Sequence, residues 1–106
     1  MWTQIHEPPT EDLPSGEIGN IEDNSADSFF NKIEYYEIDD SEPDVDALIR
    51  LGSGALVMIR NHGRYFQPGT FTIYWVGDID DKKGLLDEFL IETGVEPSKV
   101  VWTPFE

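Results

Sequence analysis

The chain contains no cysteine, and that absence removes several kinds of chemistry at once. It excludes a disulfide framework, a thiolate nucleophile and a cysteine-based zinc site. A chain of 106 residues is one domain that can bury a modest core. Its content of 39% hydrophobic and 12% aromatic residues is typical of a folded protein rather than a disordered one.

Basic residues are the second shortage. Seven lysines and arginines stand against 22 aspartates and glutamates, which gives a formal net charge of −15 at pH 7. Residues 1–53 hold 14 acidic and two basic residues, whereas residues 54–106 hold eight and five. Because phosphates and anionic lipids are bound by clusters of Lys and Arg, we expect no direct contact with nucleic acid or membrane. An acidic surface instead attracts basic proteins.

Long apolar runs and targeting features are also missing. No stretch approaches the roughly 20 apolar residues that a membrane-spanning helix needs. The opening MWTQIHEPPTEDLPSG lacks the basic and apolar regions of a signal peptide. We therefore expect a cytoplasmic protein.

Motifs that carry catalysis or hold cofactors are weak. His62 is better explained as a turn residue than as a general base, and the GSG at 52–54 lacks the lysine and the spacing of a phosphate loop. The stretch 78–89 departs from a calcium loop at its fifth, sixth and twelfth positions. The adjacent acids Asp39 and Asp40 are more typical of a solvent-facing turn than of paired catalytic carboxylates. The sequence thus predicts a protein that is not an enzyme, with no metal site and no cofactor.

The first part of the chain divides by composition. Residues 1–24 contain three prolines, two glycines and few apolar side chains, which predicts an acidic Pro/Gly-rich arm or an irregular edge. An α+β domain is then expected over 25–106. At its start, Ser25 or Asp27 can cap a short helix, and the aromatic and β-branched content over 33–38 favours a strand.

The middle of the chain predicts one helix and two strands. In SEPDVDALIRLGSG, Ser41 stands at an N-cap position, Pro43 falls in the first turn and Gly52 is a plausible stop, which together predict a helix. In that helix Asp44 and Asp46 would lie near the positive end of the dipole. The apolar runs ALVMIRN and TFTIYWV predict strands over residues 55–61 and 70–76, the first of them covered on both faces.

The C-terminal part predicts a helix followed by a strand. An amphipathic helix starts at Asp78 or Asp80 and ends at Gly94, with a buried face formed by Leu85, Leu86, Phe89 and Leu90. KVVWT then reads as a last strand over 99–103. The element order predicts an α+β fold, a single small domain with a mixed or mainly antiparallel sheet, two to three helices and a C-terminal helix–strand unit.

The same C-terminal segment carries a family resemblance. From Phe89 to Trp102 the sequence FLIETGVEPSKVVW contains the pattern FLxxTGxxPxxVxW. This resembles the C-terminal signature of bacterial immunity proteins from polymorphic and contact-dependent toxin systems, including inhibitors of deaminase toxins. The resemblance implies a small α+β protein that binds a toxin domain and blocks its active site. The pattern residues themselves have core and turn roles, with Val100 and Trp102 packing back on the sheet.

Charge and resemblance together predict an antitoxin that forms a 1:1 complex, as a monomer, with a cognate toxin that has a basic surface. The predicted partner-binding residues join acids to tyrosines, which make good interface anchors. They are Tyr35, Tyr36, Glu37, Asp39, Asp40, Glu42, Asp44 and Asp46. The segment 60–69 is a second candidate surface, better explained as a hairpin tip. Two other interpretations stay open: an acidic DNA mimic that inhibits a restriction or CRISPR complex, and a non-catalytic acidic adaptor domain.

Overall fold

A computed structural model describes residues 1–10, 12–37, 44–62 and 69–105. In these ranges seven strands form one sheet, an α-helix lies against it, and 3₁₀ turns occupy Phe29–Asn31 and Pro97–Lys99. The strands and the helix are β1 (Thr3–Ile5), β2 (Gly16–Glu22), β3 (Tyr36–Glu37), β4 (Val45–Arg50), β5 (Leu56–Asn61), β6 (Thr70–Trp75), α1 (Lys82–Thr93) and β7 (Val100–Trp102).

All strand pairings within the described ranges are antiparallel, in the order β1-β4-β5-β6-β2-β7. Strand β3 also pairs with β4, at Val45 and Asp46, whereas β1 pairs with residues 48–50. Because β5 occupies the other edge of β4, β1 and β3 lie end to end along the same edge. The described part of the chain is therefore a small domain built on an antiparallel sheet with one α-helix, and the predicted second and third helices are not confirmed.

One face of the sheet and α1 enclose the main apolar core. Ile49, Ile59 and Ile73 point from the sheet toward the helix and are fully buried, as is Phe89 on α1. The 3₁₀ turn at Phe29–Asn31 adds two rings, with Phe30 stacked on Phe71 at 4.0 Å between centroids and Phe29 edge-on to Phe89 at 5.7 Å. Ser28 caps this turn by accepting a hydrogen bond from the Phe30 N–H. Aromatic packing of this kind contributes beyond the area it buries.

The helix predicted from Ser41 to Gly52 is wrong, because residues 45–50 form the strand β4. Ser41 and Pro43, on which the predicted cap rested, lie outside the described residues. β4 is buried on both faces between two neighbours, and such a strand is an almost continuous apolar run that resembles a buried helix segment in sequence. Asp46 consequently has no helix-dipole role.

The prediction of an irregular arm over residues 1–24 is also wrong for residues 16–22, which form β2 in the interior of the sheet between β6 and β7. Its glycines, which suggested a loop, lie in close contact with neighbouring residues. A Cβ on Gly16 would overlap atoms of the Trp75 ring, and one on Gly19 would lie 3.2 Å from the Trp102 carbonyl oxygen. At such positions glycine lets a strand approach its neighbour instead of breaking it.

The other predicted elements are largely found. β5 and β6 match the predicted strands, and Val57, Met58 and Ile59 are fully buried. Helix α1 buries its four predicted apolar residues and ends at Gly94, which has a left-handed φ of 77°. Its N-cap is Asp81 rather than Asp78 or Asp80, since the Asp81 carboxylate accepts the Gly84 N–H at 2.8 Å. Only Tyr36–Glu37 of the predicted 33–38 strand is strand among the described residues.

Candidate functional site on the polar face of the sheet

The face of the sheet opposite α1 carries a set of polar side chains. One register row joins Asp46, Arg60, Thr72 and Asn20 across four strands. Directly opposed residues of antiparallel strands share a face, and these alternate with the buried core residues of the helix side. We call the following residues the polar face: Glu17, Asn20, Glu22, Asp44, Asp46, Arg60, His62, Thr72 and Tyr74.

Only part of this side of the sheet is open. Leu48 and Met58 occupy the next row on the same side, with exposures of 7% and 0%, although neither belongs to the core under the helix. Pro9, in the connection that runs from β1 to β2, is also buried. Tyr74 and Glu17 continue that row, and Tyr74 is half-buried whereas Glu17 is exposed, so this side of the sheet is covered over Leu48 and Met58 and open toward β2.

A buried ion pair stands at the centre of the polar face. The Asp46 side chain is 2% exposed, and its two carboxylate oxygens accept hydrogen bonds from Nε and Nη2 of Arg60 at 2.9 and 3.0 Å. The guanidinium also lies 5.4 Å from the centre of the Tyr74 ring. Hydrogen bonding to Asp46 raises the pKa of Arg60 above its usual range, against the opposing effect of burial. The pair fixes Arg60 in one orientation, with Nη1 3.5 Å from the Tyr74 hydroxyl.

A second polar chain runs beside the first. His62 has Nδ1 3.7 Å from an Asp44 carboxylate oxygen and Nε2 at hydrogen-bond distance from the Thr72 hydroxyl, which donates to Asn20 Oδ1 at 2.8 Å. The Asp44–His62–Thr72 order resembles an acid–base–nucleophile arrangement. Thr72 is 4% exposed and its proton is directed at Asn20, so the hydroxyl is not presented to a substrate. We interpret this series of hydrogen-bonded side chains as a structural network that satisfies the hydrogen-bonding needs of buried polar groups.

The tyrosines predicted to bind a partner have different environments. Tyr35 packs against the core, and its hydroxyl donates to the Phe30 carbonyl at 2.9 Å. Burial raises its pKa far above the ordinary value. Tyr36 is half-buried in β3, and its hydroxyl donates to a Glu34 carboxylate oxygen at 3.1 Å. Tyr36 therefore remains a possible contact residue, whereas Tyr35 has an internal packing role.

The predicted acids also separate. Asp46 is enclosed with Arg60, Asp44 is half-buried beside His62, and Glu37 is exposed. Asp39, Asp40 and Glu42 lie outside the described residues. The idea that all eight predicted residues present their side chains on one surface is thus corrected for Tyr35 and Asp46. Tyr35 is half-buried because its ring packs on the core and its hydroxyl bonds to Phe30, and Asp46 is buried because residues 45–50 form a sheet strand instead of a surface helix.

Sequence reasoning missed most of the polar face. Arg60 was assigned to a hairpin tip, and Asn20, Glu17 and Glu22 to an irregular arm. The available signal was the alternation of polar and apolar residues through Thr70–Trp75, which puts Thr72 and Tyr74 opposite Phe71 and Ile73. Partner residues on β2 could not be assigned to that face without knowing which strand lies beside β6.

A cleft of about 360 Å³ lies between the Phe29 turn and the end of α1, lined in part by Asp23, Asp27, Lys32, Glu96 and Lys99. Its most buried charged residue, Asp23, already has internal partners. Asp23 accepts hydrogen bonds from the Ser25 N–H at 3.0 Å and the Ser28 hydroxyl at 2.9 Å, and Lys99 Nζ is 4.0 Å away. Burial alone would raise the pKa of Asp23, but these partners hold it below the ordinary value. The cleft thus supports the fold rather than offering an unpaired group to a ligand.

Comparison with protein-family models, with characterised proteins and with solved structures finds no match for this chain. Across the described residues no three His, Asp or Glu side chains are grouped in a way that could hold a metal ion. None of the helices in these ranges has the length and apolar character required to cross a membrane.

Proposed function

We propose that this protein is an immunity protein, which binds and blocks the basic toxin domain of a cognate bacterial toxin that acts on nucleic acid, such as a deaminase. The observation that carries the proposal is the excess of acidic over basic side chains among the described residues of the polar face. Glu17 and Glu22 are exposed and Asp44 is half-buried, while the guanidinium of Arg60 is neutralised by Asp46. Each carboxylate beyond that pair adds to a negative field on this side of the sheet.

A negative field suits this kind of partner for a physical reason. A protein that holds nucleic acid needs Lys and Arg side chains around its substrate phosphates. An acidic inhibitor meets these side chains with complementary charge, which speeds association and disfavours wrong partners. In the sequence, Asp39, Asp40 and Glu42 add three more carboxylates between Glu37 and Asp44. The resemblance of the Phe89–Trp102 segment to immunity proteins points to the same class of partner.

The first test is protection and complex formation. The chain is co-expressed with the toxin domain encoded beside its own gene, and survival is compared with that of cells expressing the toxin alone. We expect survival and a 1:1 complex that remains intact on a size-exclusion column. Equal killing with and without the chain, together with separate elution of the two proteins, would rule out the proposed function.

The second test locates the charge contribution. The paired changes Glu17→Lys and Glu22→Lys should slow association with the toxin domain by about tenfold at low salt, with less effect as salt rises. A second pair, Asp39→Lys and Asp40→Lys, should slow association similarly if the acidic segment takes part. The pair Asp80→Lys and Asp87→Lys, at exposed positions next to and on α1, is the matched control, because it changes the net charge by the same amount. Association rates that fall equally for the control would indicate a net-charge effect without a defined face.

A further inference from the structure

The strand that ends the predicted signature does not bury its last two residues. Val100 packs against the core, but Val101 is 55% exposed and Trp102 is 44% exposed. The sequence predicts a core role for Trp102, and the structure corrects this. We call the exposed surface of Val101 and Trp102 the apolar patch; it is small, and its position beside polar residues is what makes it a candidate contact.

Through Trp102, the patch is continuous with the polar face. The register joins Val100 to Ile21 and Trp102 to Asn20, so Val101 is the extra residue of a bulge. Asn20 belongs to the register row of Arg60 and Thr72, and cross-strand partners share a side of the sheet. Trp102 thus extends the polar row by one strand.

Strand β7 is poorly suited to recruit another strand. It is the last strand in the sheet order, but it is three residues long, bulged and followed by Pro104. Short length, bulges and proline are the features that protect sheet edges from strand addition. What β7 offers to a partner is therefore its side chains.

Charge decides which partner these side chains fit. Glu17 and Glu22 lie on β2 on either side of Asn20, and both are exposed. A second copy of this chain, also with a net charge of −15, would bring like charges together around the apolar patch. A basic protein would pair with the same carboxylates as the patch leaves water.

We propose that Val101 and Trp102 form the apolar anchor of the toxin interface, seated in an apolar pocket of a basic toxin domain and surrounded by the carboxylates of the polar face. This inference rests on the proposed function and gives its location on the molecule. Tryptophan anchors at the centre of an interface, ringed by polar contacts that exclude water, commonly dominate binding free energy. Carboxylates at the rim act mainly on association, whereas the anchor acts on dissociation.

The test measures binding of the adjacent-gene toxin domain to single variants of the full chain. Trp102→Ala should weaken the complex by about 30-fold or more, mostly through faster dissociation. Val101→Ser, at a more exposed position, should weaken it by about fivefold and keeps the test decisive if Trp102→Ala fails to fold. Ile91→Ser on α1 is the matched control, because Ile91 is 80% exposed and lies on a different element. It should leave affinity within about twofold.

Three outcomes would overturn the anchor. If the wild-type chain binds and both β7 variants bind as tightly, the proposed function stands and the anchor is wrong. If the chain alone forms a dimer in sedimentation that Trp102→Ala abolishes, the patch is covered by a second copy. If the wild-type chain forms no complex, the proposed function fails and the anchor fails with it.

Discussion

The two faces of the sheet are stabilised by different kinds of interaction. The helix side is an apolar layer in which Ile49, Ile59 and Ile73 meet Phe89, and its contacts have no required direction. The polar face holds Asp46 and Thr72, at 2% and 4% exposure, and each needs partners at particular distances. Strand β4 contributes alternate residues to both faces. One strand can thus carry packing on one side and a directional network on the other.

The two faces also differ in what they contribute to the protein, since one mainly stabilises the fold and the other carries exposed charged side chains. Apolar burial stabilises the fold in proportion to the area removed from water. A buried charge pair is at best weakly stabilising overall, but removing one of its two partners leaves an unpaired buried charge. The helix side is therefore expected to provide most of the stability, whereas the polar face keeps side chains in fixed positions next to accessible carboxylates.

The largest expected effect is on the helix side. Phe89→Ala removes a fully buried ring that contacts Phe29 and Phe30, and should lower the free energy of unfolding by about 3–5 kcal/mol. Urea denaturation followed by circular dichroism measures this loss. Ile91→Ala on the same helix is the control, since Ile91 is 80% exposed. Similar losses for both variants would contradict a core centred on Phe89.

The next effect breaks the ion pair of the polar face. Asp46→Ala should lower the free energy of unfolding by about 3 kcal/mol, because Arg60 loses both hydrogen bonds while only 27% of its side chain is exposed. Asp46→Leu combined with Arg60→Leu should be much less destabilising than Asp46→Ala, since no charge is left unpaired. A double variant as unstable as the single one would mean that the face depends on the pair itself.

The smallest expected effect depends on pH, which distinguishes stabilisation by hydrogen bonds to Asp23 from stabilisation by apolar packing. The folded-state pKa of Asp23 is below its unfolded value, so its contribution is present above the unfolded pKa and is lost as pH falls through the folded one. Ser28→Ala removes one hydrogen bond to that carboxylate and also the cap that accepts the Phe30 N–H, and should lower the free energy of unfolding by about 1–2 kcal/mol at pH 7. The difference from wild type should shrink below about pH 4. Phe89→Ala provides the comparison, because its loss should be nearly independent of pH.

Several elements were predictable because their signals are local. The apolar spacing and glycine stop of α1 and the apolar runs of β5 and β6 are encoded within each segment. β4 was mistaken for a helix because apolar residues buried on both faces have no strand alternation. The sequence predicts an arm in place of β2 because it does not show that Gly16 and Gly19 lie in close contact with Trp75 and Trp102. The polar face depended on both of these strands, so it could not be predicted.

Composition alone determined that this is a strongly acidic chain without thiol chemistry, and local spacing determined its C-terminal helix and two of its strands. Only the tertiary structure decided which acids are internal and which face outward. Asp46 and Glu22 are equivalent charges in sequence, yet one is enclosed with Arg60 and the other is exposed at the edge of the polar face. The physical reason is that burial and pairing depend on the neighbouring strand, and strands that are adjacent in this sheet, such as β2 and β6, are far apart along the chain.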